Sequence, residues 1–185
     1  PAFAAGHALA AAMHLFTMSP EGARRARPLL ARAAALVPLA DRRETLLVAA
    51  IQQWHLGDTA AALRLHGQIT DGWPRDMLNL RIAQFHQLNR GDFAGMRRMA
   101  EAALPHNPDV PQLKGILAFA LEQTGETEAG LALALAAADA AFDPWAEHAA
   151  AHGFERMGRS REAIGWLLPR SEGWVRCSSF LYTHN

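Results

Sequence analysis

The amino-acid sequence predicts an all-α protein assembled from repeated pairs of helices. Residues typical of strands are sparse, whereas alanine, leucine, arginine and glutamate recur at steps of three and four residues, which is the spacing of one helix face. Glycines also recur at a nearly constant interval, each between two helical patterns. Half of the chain is apolar, which is enough for a continuous core.

The apolar periodicity predicts eleven helical segments, and prolines such as Pro38, Pro74, Pro108, Pro144 and Pro169 mark the breaks. Proline is tolerated in the first turn of a helix and breaks its interior, so several of these prolines indicate helix starts. The predicted segments are residues 2 to 17, 20 to 36, 40 to 56, 58 to 71, 74 to 89, 92 to 104, 110 to 124, 126 to 142, 144 to 157, 159 to 168, and one from about 173 onward.

The glycine interval identifies the type of repeat. The spacings are 35, 34, 34 and 33 residues, between Gly22, Gly57, Gly91, Gly125 and Gly158. A unit of helix, glycine turn and second helix with this length is the tetratricopeptide period. Small residues keep the same phase, five positions after a turn glycine, at Ala62, Gly130 and Ala163. The sequence therefore predicts one repeat domain over residues 1 to 185, a right-handed α-solenoid of about five tetratricopeptide-like helix pairs.

Composition narrows the function classes and the setting. Lysine plus arginine and aspartate plus glutamate both number 18, so the zero net charge argues against nucleic acid and anionic membranes as partners. Cys177 is the sole cysteine, which excludes an internal disulfide and favours an intracellular, cytoplasmic protein. The chain opens on Pro1 and stops at Asn185 within a helical pattern, so we expect a longer protein that continues after residue 185.

The most distinctive stretch runs from Asp143 to Gly158. It begins with a helix-start signal, Asp-Pro, and carries His148 and His152 four residues apart with Glu155 three residues further on. Residues at these intervals share one stripe of a helix. The sequence therefore predicts that three polar side chains project from one helix face.

Aligning successive first helices by the repeat places these residues in rows along a concave groove. One row holds Leu47, Arg81, Gly115 and His148; the next holds Ile51, Phe85, Phe119 and His152; the third holds Trp54, Leu88, Glu122 and Glu155. A concave, partly apolar surface with a few polar groups is the usual form of a ligand site. The predicted ligand-binding residues are Trp54, Arg81, Phe85, Gly115, Phe119, Glu122, Trp145, His148, His152, Glu155, Tyr182 and His184.

Several stretches carry a closer resemblance. Trp73-Pro74-Arg75-Asp76-Met77-Leu78, Asp143-Pro144-Trp145-Ala146-Glu147-His148 and Tyr182-Thr183-His184-Asn185 resemble the tetratricopeptide repeat protein 38 family, in order along essentially the whole chain. The resemblance implies an α-solenoid. It implies no particular reaction or cofactor, and members of that family usually continue past the His-Asn pair with further helices.

The residues leave two function classes open. The first is a binding protein that holds a peptide, a protein or a small ligand in the groove, with no resident cofactor. The second is an enzyme that uses His148, His152, Glu155 and Glu122 for acid-base chemistry or for metal-assisted chemistry. A divalent metal would take His148, His152 and Glu155 as ligands, with His184 or Glu122 from a neighbouring helix as a fourth. The alternative is a structural role, in which the two groove-lining histidines only form hydrogen bonds with Glu122, Glu155 or the backbone.

Overall fold

The computed structural model describes residues 3–177 and 182–183 of the chain. These residues form ten α-helices, joined by short turns and three short 3₁₀ segments. In chain order the helices are α1 (Ala4–Leu15), α2 (Pro20–Leu36), α3 (Arg42–His55), α4 (Thr59–Gly72), α5 (Met77–Arg90), α6 (Phe93–Ala103), α7 (Pro111–Gln123), α8 (Thr127–Ala140), α9 (Pro144–Arg156) and α10 (Ser160–Leu167). The helices pack as sequential pairs, which confirms the predicted fold class.

Side-chain caps start many of these helices. The aspartate before α3, α4 and α6 accepts a hydrogen bond from the backbone N–H three residues later, at 2.8 Å in each case, and Ser19 does the same for α2 at 3.0 Å. Such a cap satisfies one of the N–H groups that the first helical turn leaves unpaired. Proline occupies the first position of α2, α7 and α9, where its missing N–H costs no hydrogen bond.

The turn between the two helices of a pair depends on glycine. Positive φ values between 67° and 92° occur at the last residue of four turns: Gly57, Gly91, Gly125 and Gly158. Residues with a side chain rarely adopt this backbone conformation, whereas glycine adopts it readily. This confirms four of the five glycines in the predicted period. Gly22 does not belong to the series, because it lies inside the first turn of α2, and the positive φ of that pair falls on Met18.

The helices group into two compact units, residues 1–86 and 87–185, and the boundary falls inside α5. In the first unit, aliphatic side chains of α3 and α4 form a core with the alanines of α1, such as Ala8 and Ala11, which are 0% exposed. Burying a leucine or isoleucine side chain stabilises the fold by about 1.5–3 kcal/mol. The aliphatic core residues below 2% exposure are Leu47, Val48, Ile51, Ile69 and Ile82.

In the second unit, α7 is the central helix and packs against α6, α8 and α9. Gly130 of α8 allows the backbones of α7 and α8 to approach closely: a Cβ at this position would lie 2.9 Å from the carbonyl oxygen of Ala118 and 3.0 Å from the backbone nitrogen of Glu122. The small residue predicted at this position of the repeat is therefore needed for the contact between α7 and α8.

The end of the described chain departs from the prediction. The sequence predicts a further helix from about residue 173, but residues Leu168–Arg176 form one 3₁₀ segment, which is followed by Cys177 in extended conformation. Gly173 packs against the ring of Phe142, and Arg176 stacks over the same ring at 4.3 Å from its centroid. No helix of the described residues is long and apolar enough to cross a membrane.

Candidate functional site

Asp143 and Pro144 fix the start of α9. The Asp143 carboxylate accepts a hydrogen bond from the Trp145 N–H at 3.1 Å, and only 2% of the residue is exposed. A Cβ on Gly115 of α7 would lie 2.7 Å from Asp143 Oδ2 and 3.1 Å from the Cβ of Ala146. Gly115, predicted in the groove, is thus a buried point of close approach between α7 and α9.

His148 and His152 lie one turn apart on α9, and their side chains contact each other directly. The two Nε2 atoms are 3.0 Å apart, and the rings are nearly perpendicular, with centroids 4.5 Å apart. A hydrogen bond between two imidazole nitrogens needs one N–H donor and one lone pair. The pair can therefore form it when both rings are neutral or when they carry one extra proton, and it breaks when both rings are fully protonated.

Aromatic side chains surround this histidine pair. Phe119 of α7 stacks on His148 at 6.1 Å between centroids and meets His152 edge-on at 5.9 Å. Trp145 meets His148 edge-on at 6.0 Å, and Phe93 meets Phe119 at 6.4 Å. His148 is 8% exposed and His152 is half-buried, so the pair lies where the apolar wall reaches the surface.

Glu122 of α7 is fully buried, and its partner is a cation. Its carboxylate forms an ion pair with Arg156 at the end of α9 and accepts a hydrogen bond from Gln123 Nε2 at 2.5 Å. Glu155, placed beside Glu122 by the sequence, is exposed instead. Arg156 is a site residue that the sequence analysis missed, although it continues the stripe of His148 and His152 by a further four residues.

Glu147 of α9 is a second buried carboxylate, and it contacts the 3₁₀ segment Leu168–Arg176. Trp174 Nε1 donates a hydrogen bond to Glu147 Oε2 at 2.5 Å, and the residue is 3% exposed. Burial raises the pKa of Glu147, while the Trp174 hydrogen bond and the nearby Arg170 charge partly oppose the rise. This contact fastens the 3₁₀ segment to α9, so Glu147 belongs to packing rather than to the histidine stripe.

Three residues predicted in the groove lie in the first unit. Trp54 and Phe85 join Phe16 in an aromatic cluster, with centroid distances of 4.8–5.5 Å. Arg81 donates a hydrogen bond from Nη1 to Gln84 Oε1 at 3.0 Å. The same unit also has an open depression of about 400 Å³ that the sequence analysis did not predict, lined by Gln53, Asp58, Ala61, Arg64, Leu65 and Gln68.

The remaining predicted residues lie near the end of the chain. Tyr182 is 51% exposed, and His184 lies outside the described residues. Within residues 3–177 and 182–183, no three histidine, cysteine, aspartate or glutamate side chains are grouped so that they could hold a metal ion. Of the predicted stripe and its neighbours, the structure thus brings together Phe119, Trp145, His148 and His152.

Comparison with known proteins identifies the fold. No protein family model matches the chain. The solved structure of MamA AMB-1, a tetratricopeptide repeat protein, is similar over 89% of this chain and 92% of its own, with a TM-score of 0.58 and 16% sequence identity. The chain has a tetratricopeptide-like repeat fold. At this identity the similarity shows the fold alone.

Proposed function

We propose that the chain is a helical-repeat binding protein, and that a peptide or a segment of another protein binds on the surface formed by α7 and α9. The observation that carries this proposal is the His148–His152 pair, which lies over Phe119 at the edge of the core and keeps His152 partly accessible. Tetratricopeptide-like stacks present extended surfaces for such ligands.

The chemistry of this surface favours a ligand that combines an apolar side chain with a hydrogen-bonding group. Trp145 is half-buried and offers aromatic area, which supplies much of the binding energy at many interfaces, while the buried Phe119 packs against both histidine rings. Each imidazole uses Nε2 for the other ring, so His152 has its Nδ1 for a carboxylate, amide or carbonyl of the ligand. A small molecule with the same two features is a further ligand that this surface fits.

Three further expectations from the sequence are part of this proposal: the family, the cellular setting and the groove residues of the first unit. We propose that the chain belongs to the tetratricopeptide repeat protein 38 family, and the helical-repeat fold agrees with this proposal. The cytoplasmic setting rests on the sole cysteine, Cys177, which is free and half-buried. Groove residues Trp54, Arg81 and Phe85 are proposed as additional ligand contacts in the first unit.

The test is a selection of binders from a random peptide library displayed on phage, followed by affinity measurements with synthetic peptides by fluorescence anisotropy. We expect His152→Ala to weaken the selected peptides by about 10-fold or more, the effect of losing one well-placed interface side chain. His106→Ala is the matched control, because His106 is an exposed histidine of the same unit. Equal affinities for the wild type and for the His148→Ala and His152→Ala variants would overturn the proposal.

The second candidate function is an enzyme with its site on the same surface. The 3.0 Å contact between His148 and His152 favours acid-base chemistry, since a proton shared by two imidazoles can be passed to a bound substrate. Glu122, the predicted carboxylate partner, is paired with Arg156. Metal analysis of protein purified without an affinity tag tests the metal-assisted form of this candidate: near-stoichiometric zinc, iron or manganese would support it and contradict a metal-free binding protein.

A further inference from the structure

A second pair of histidines is buried in the first unit. His66 of α4 is 0% exposed and His86 of α5 is 1% exposed. Their ring centroids are 5.6 Å apart, and the ring planes are inclined by 33°. Trp54 of α3 meets the His86 ring edge-on at 4.7 Å. These imidazoles therefore lie side by side at the contact between two helices.

The hydrogen bonds around His66 fix which of its two ring nitrogens carries the hydrogen of the neutral form. Asn79 Nδ2 donates to the His66 carbonyl oxygen and to Thr70 Oγ1, both at 3.0 Å, so the Asn79 amide oxygen is the atom 2.7 Å from His66 Nδ1. That oxygen only accepts, which places the hydrogen of His66 on Nδ1. His66 Nε2 and His86 Nε2 are both buried without a hydrogen-bond partner. The protonated form of either ring would therefore be a buried cation whose Nε2–H has no acceptor.

The charges near the pair do little to hold such a cation. Asp76 is the carboxylate that acts on His66, and it already forms an ion pair with Arg43 of α3, at 2.6 Å. His55 of α3 is a third imidazole on a neighbouring helix, and its Nδ1 is also buried without a hydrogen-bond partner. The other charged side chains of α4, Arg64 and Asp71, are exposed.

We propose that His66 and His86 form an acid-sensitive lock between α4 and α5, which stay packed while both imidazoles are neutral and separate when one is protonated. Burial and the mutual repulsion of two cations 5.6 Å apart both oppose protonation in the packed state. Separation exposes the rings to water, where an imidazole takes a proton readily below pH about 6.5.

The sign and size of the effect follow from the proton affinities. Burial lowers the pKa of His66, and burial together with repulsion from His66 lowers the pKa of His86 to about 4. A histidine whose pKa is depressed in the folded state stabilises the fold fully above the unfolded value, about 6.5, and this contribution is lost as the pH falls toward 4. For His86 alone, the opening equilibrium should rise about 20-fold between pH 7 and pH 5.

Amide hydrogen exchange of the full chain tests the lock. Protection in α4 and in residues 77–86, corrected for the intrinsic pH dependence of exchange, should fall about 20-fold or more from pH 7 to pH 5. His86→Phe keeps a ring against Trp54 and removes one of the two titrating groups, so it should lose the part of this pH dependence that His86 contributes, about 20-fold. His106→Gln, at an exposed histidine, should behave as the wild type.

Two results would overturn the proposal. One is an equal loss of protection in the wild type and in His86→Phe; the other is a loss spread evenly over all helices of the first unit. If His86→Phe does not fold, NMR titration of the wild-type imidazoles decides. Rings that titrate near pH 6.5 while α4 and α5 stay protected would contradict the lock, and rings that titrate only as that protection is lost would support it.

Discussion

Glu122 shows how one residue couples two helices at the candidate site. Its carboxylate is 0% exposed and depends on Arg156 for its countercharge, while Gln123 supplies one hydrogen bond. A buried carboxylate without such partners would be strongly destabilising. The end of α9 is therefore held to α7 by charge as well as by the aromatic contacts of Phe119.

We expect Arg156→Met to lower the free energy of unfolding by about 1–3 kcal/mol, the usual cost of leaving a buried polar group unsatisfied. Urea unfolding at pH 7 measures the change. Arg24→Met removes a cation from an exposed ion pair with Glu21 and should cost less, because water screens an exposed pair. The double variant Glu122→Gln with Arg156→Met should recover part of the loss, because it buries no charge. A single-variant cost no larger than that of Arg24→Met would contradict this account.

The contacts at the candidate site show which residue pairs can be predicted from the sequence. The contact between His148 and His152 could be predicted, because residues four apart in a helix always share a face. The partner of Glu122 could not. A spacing of 33 residues leads from Glu122 to Glu155, and one of 34 leads to Arg156. Both spacings occur in this chain, and one residue turns a helix by about 100°, so the side chain that reaches Glu122 changes completely.

At the level of elements, the glycine turn explains why the repeat was visible in the sequence. Four turns need a positive φ, which glycine adopts without steric cost, so the residue recurs wherever the turn does. The turn after α1 makes the same demand with Met18, at φ 47°. Gly22 keeps nearly the same interval for another reason: a Cβ there would lie 2.2 Å from the His14 carbonyl oxygen. Sequence alone does not separate these two uses of glycine.

Substitution at the turns should follow this distinction. Met18→Gly should stabilise the protein and Gly125→Ala should destabilise it, each by about 1–2 kcal/mol, because a non-glycine residue in the left-handed region carries that strain. Met18 is 70% exposed and a Cβ on Gly125 meets no atom within 4 Å, so packing changes little in either variant. Thermal unfolding measures both. A destabilised Met18→Gly variant or a stabilised Gly125→Ala variant would contradict this account and would mean that packing at these turns outweighs backbone strain.

The 3₁₀ segment shows where local pattern fails. Its sequence reads as the start of another helix, but Glu147 binds the Trp174 indole and Phe142 packs against Gly173. These contacts come from residues about 30 positions away in the chain, so no local window contains them. Tertiary contact decides the conformation of such a short segment.

For the whole molecule, the sequence predicted the stack of helix pairs but not its division into two compact units. Unit boundaries are usually visible as glycine-rich or proline-rich linkers. Here the boundary lies within α5, residues Met77–Arg90, which contain neither glycine nor proline. A boundary inside a regular helix leaves no mark in composition.

Helical repeats draw their stability from contacts between neighbouring elements, so we expect damage in one unit to stay there. Gly130→Ala forces a Cβ to within 2.9 Å of the Ala118 carbonyl oxygen, and backbone cannot move aside cheaply. Overpacking of this kind costs about 1–3 kcal/mol, which corresponds to roughly 5- to 150-fold less protection from hydrogen exchange. The loss should appear in α7, α8 and α9, while α1, α2 and α3 keep wild-type protection.

Gly165→Ala is the control, because a Cβ on this glycine of α10 meets no atom within 4 Å. Equal losses in both units would instead show that the whole chain unfolds as one cooperative body.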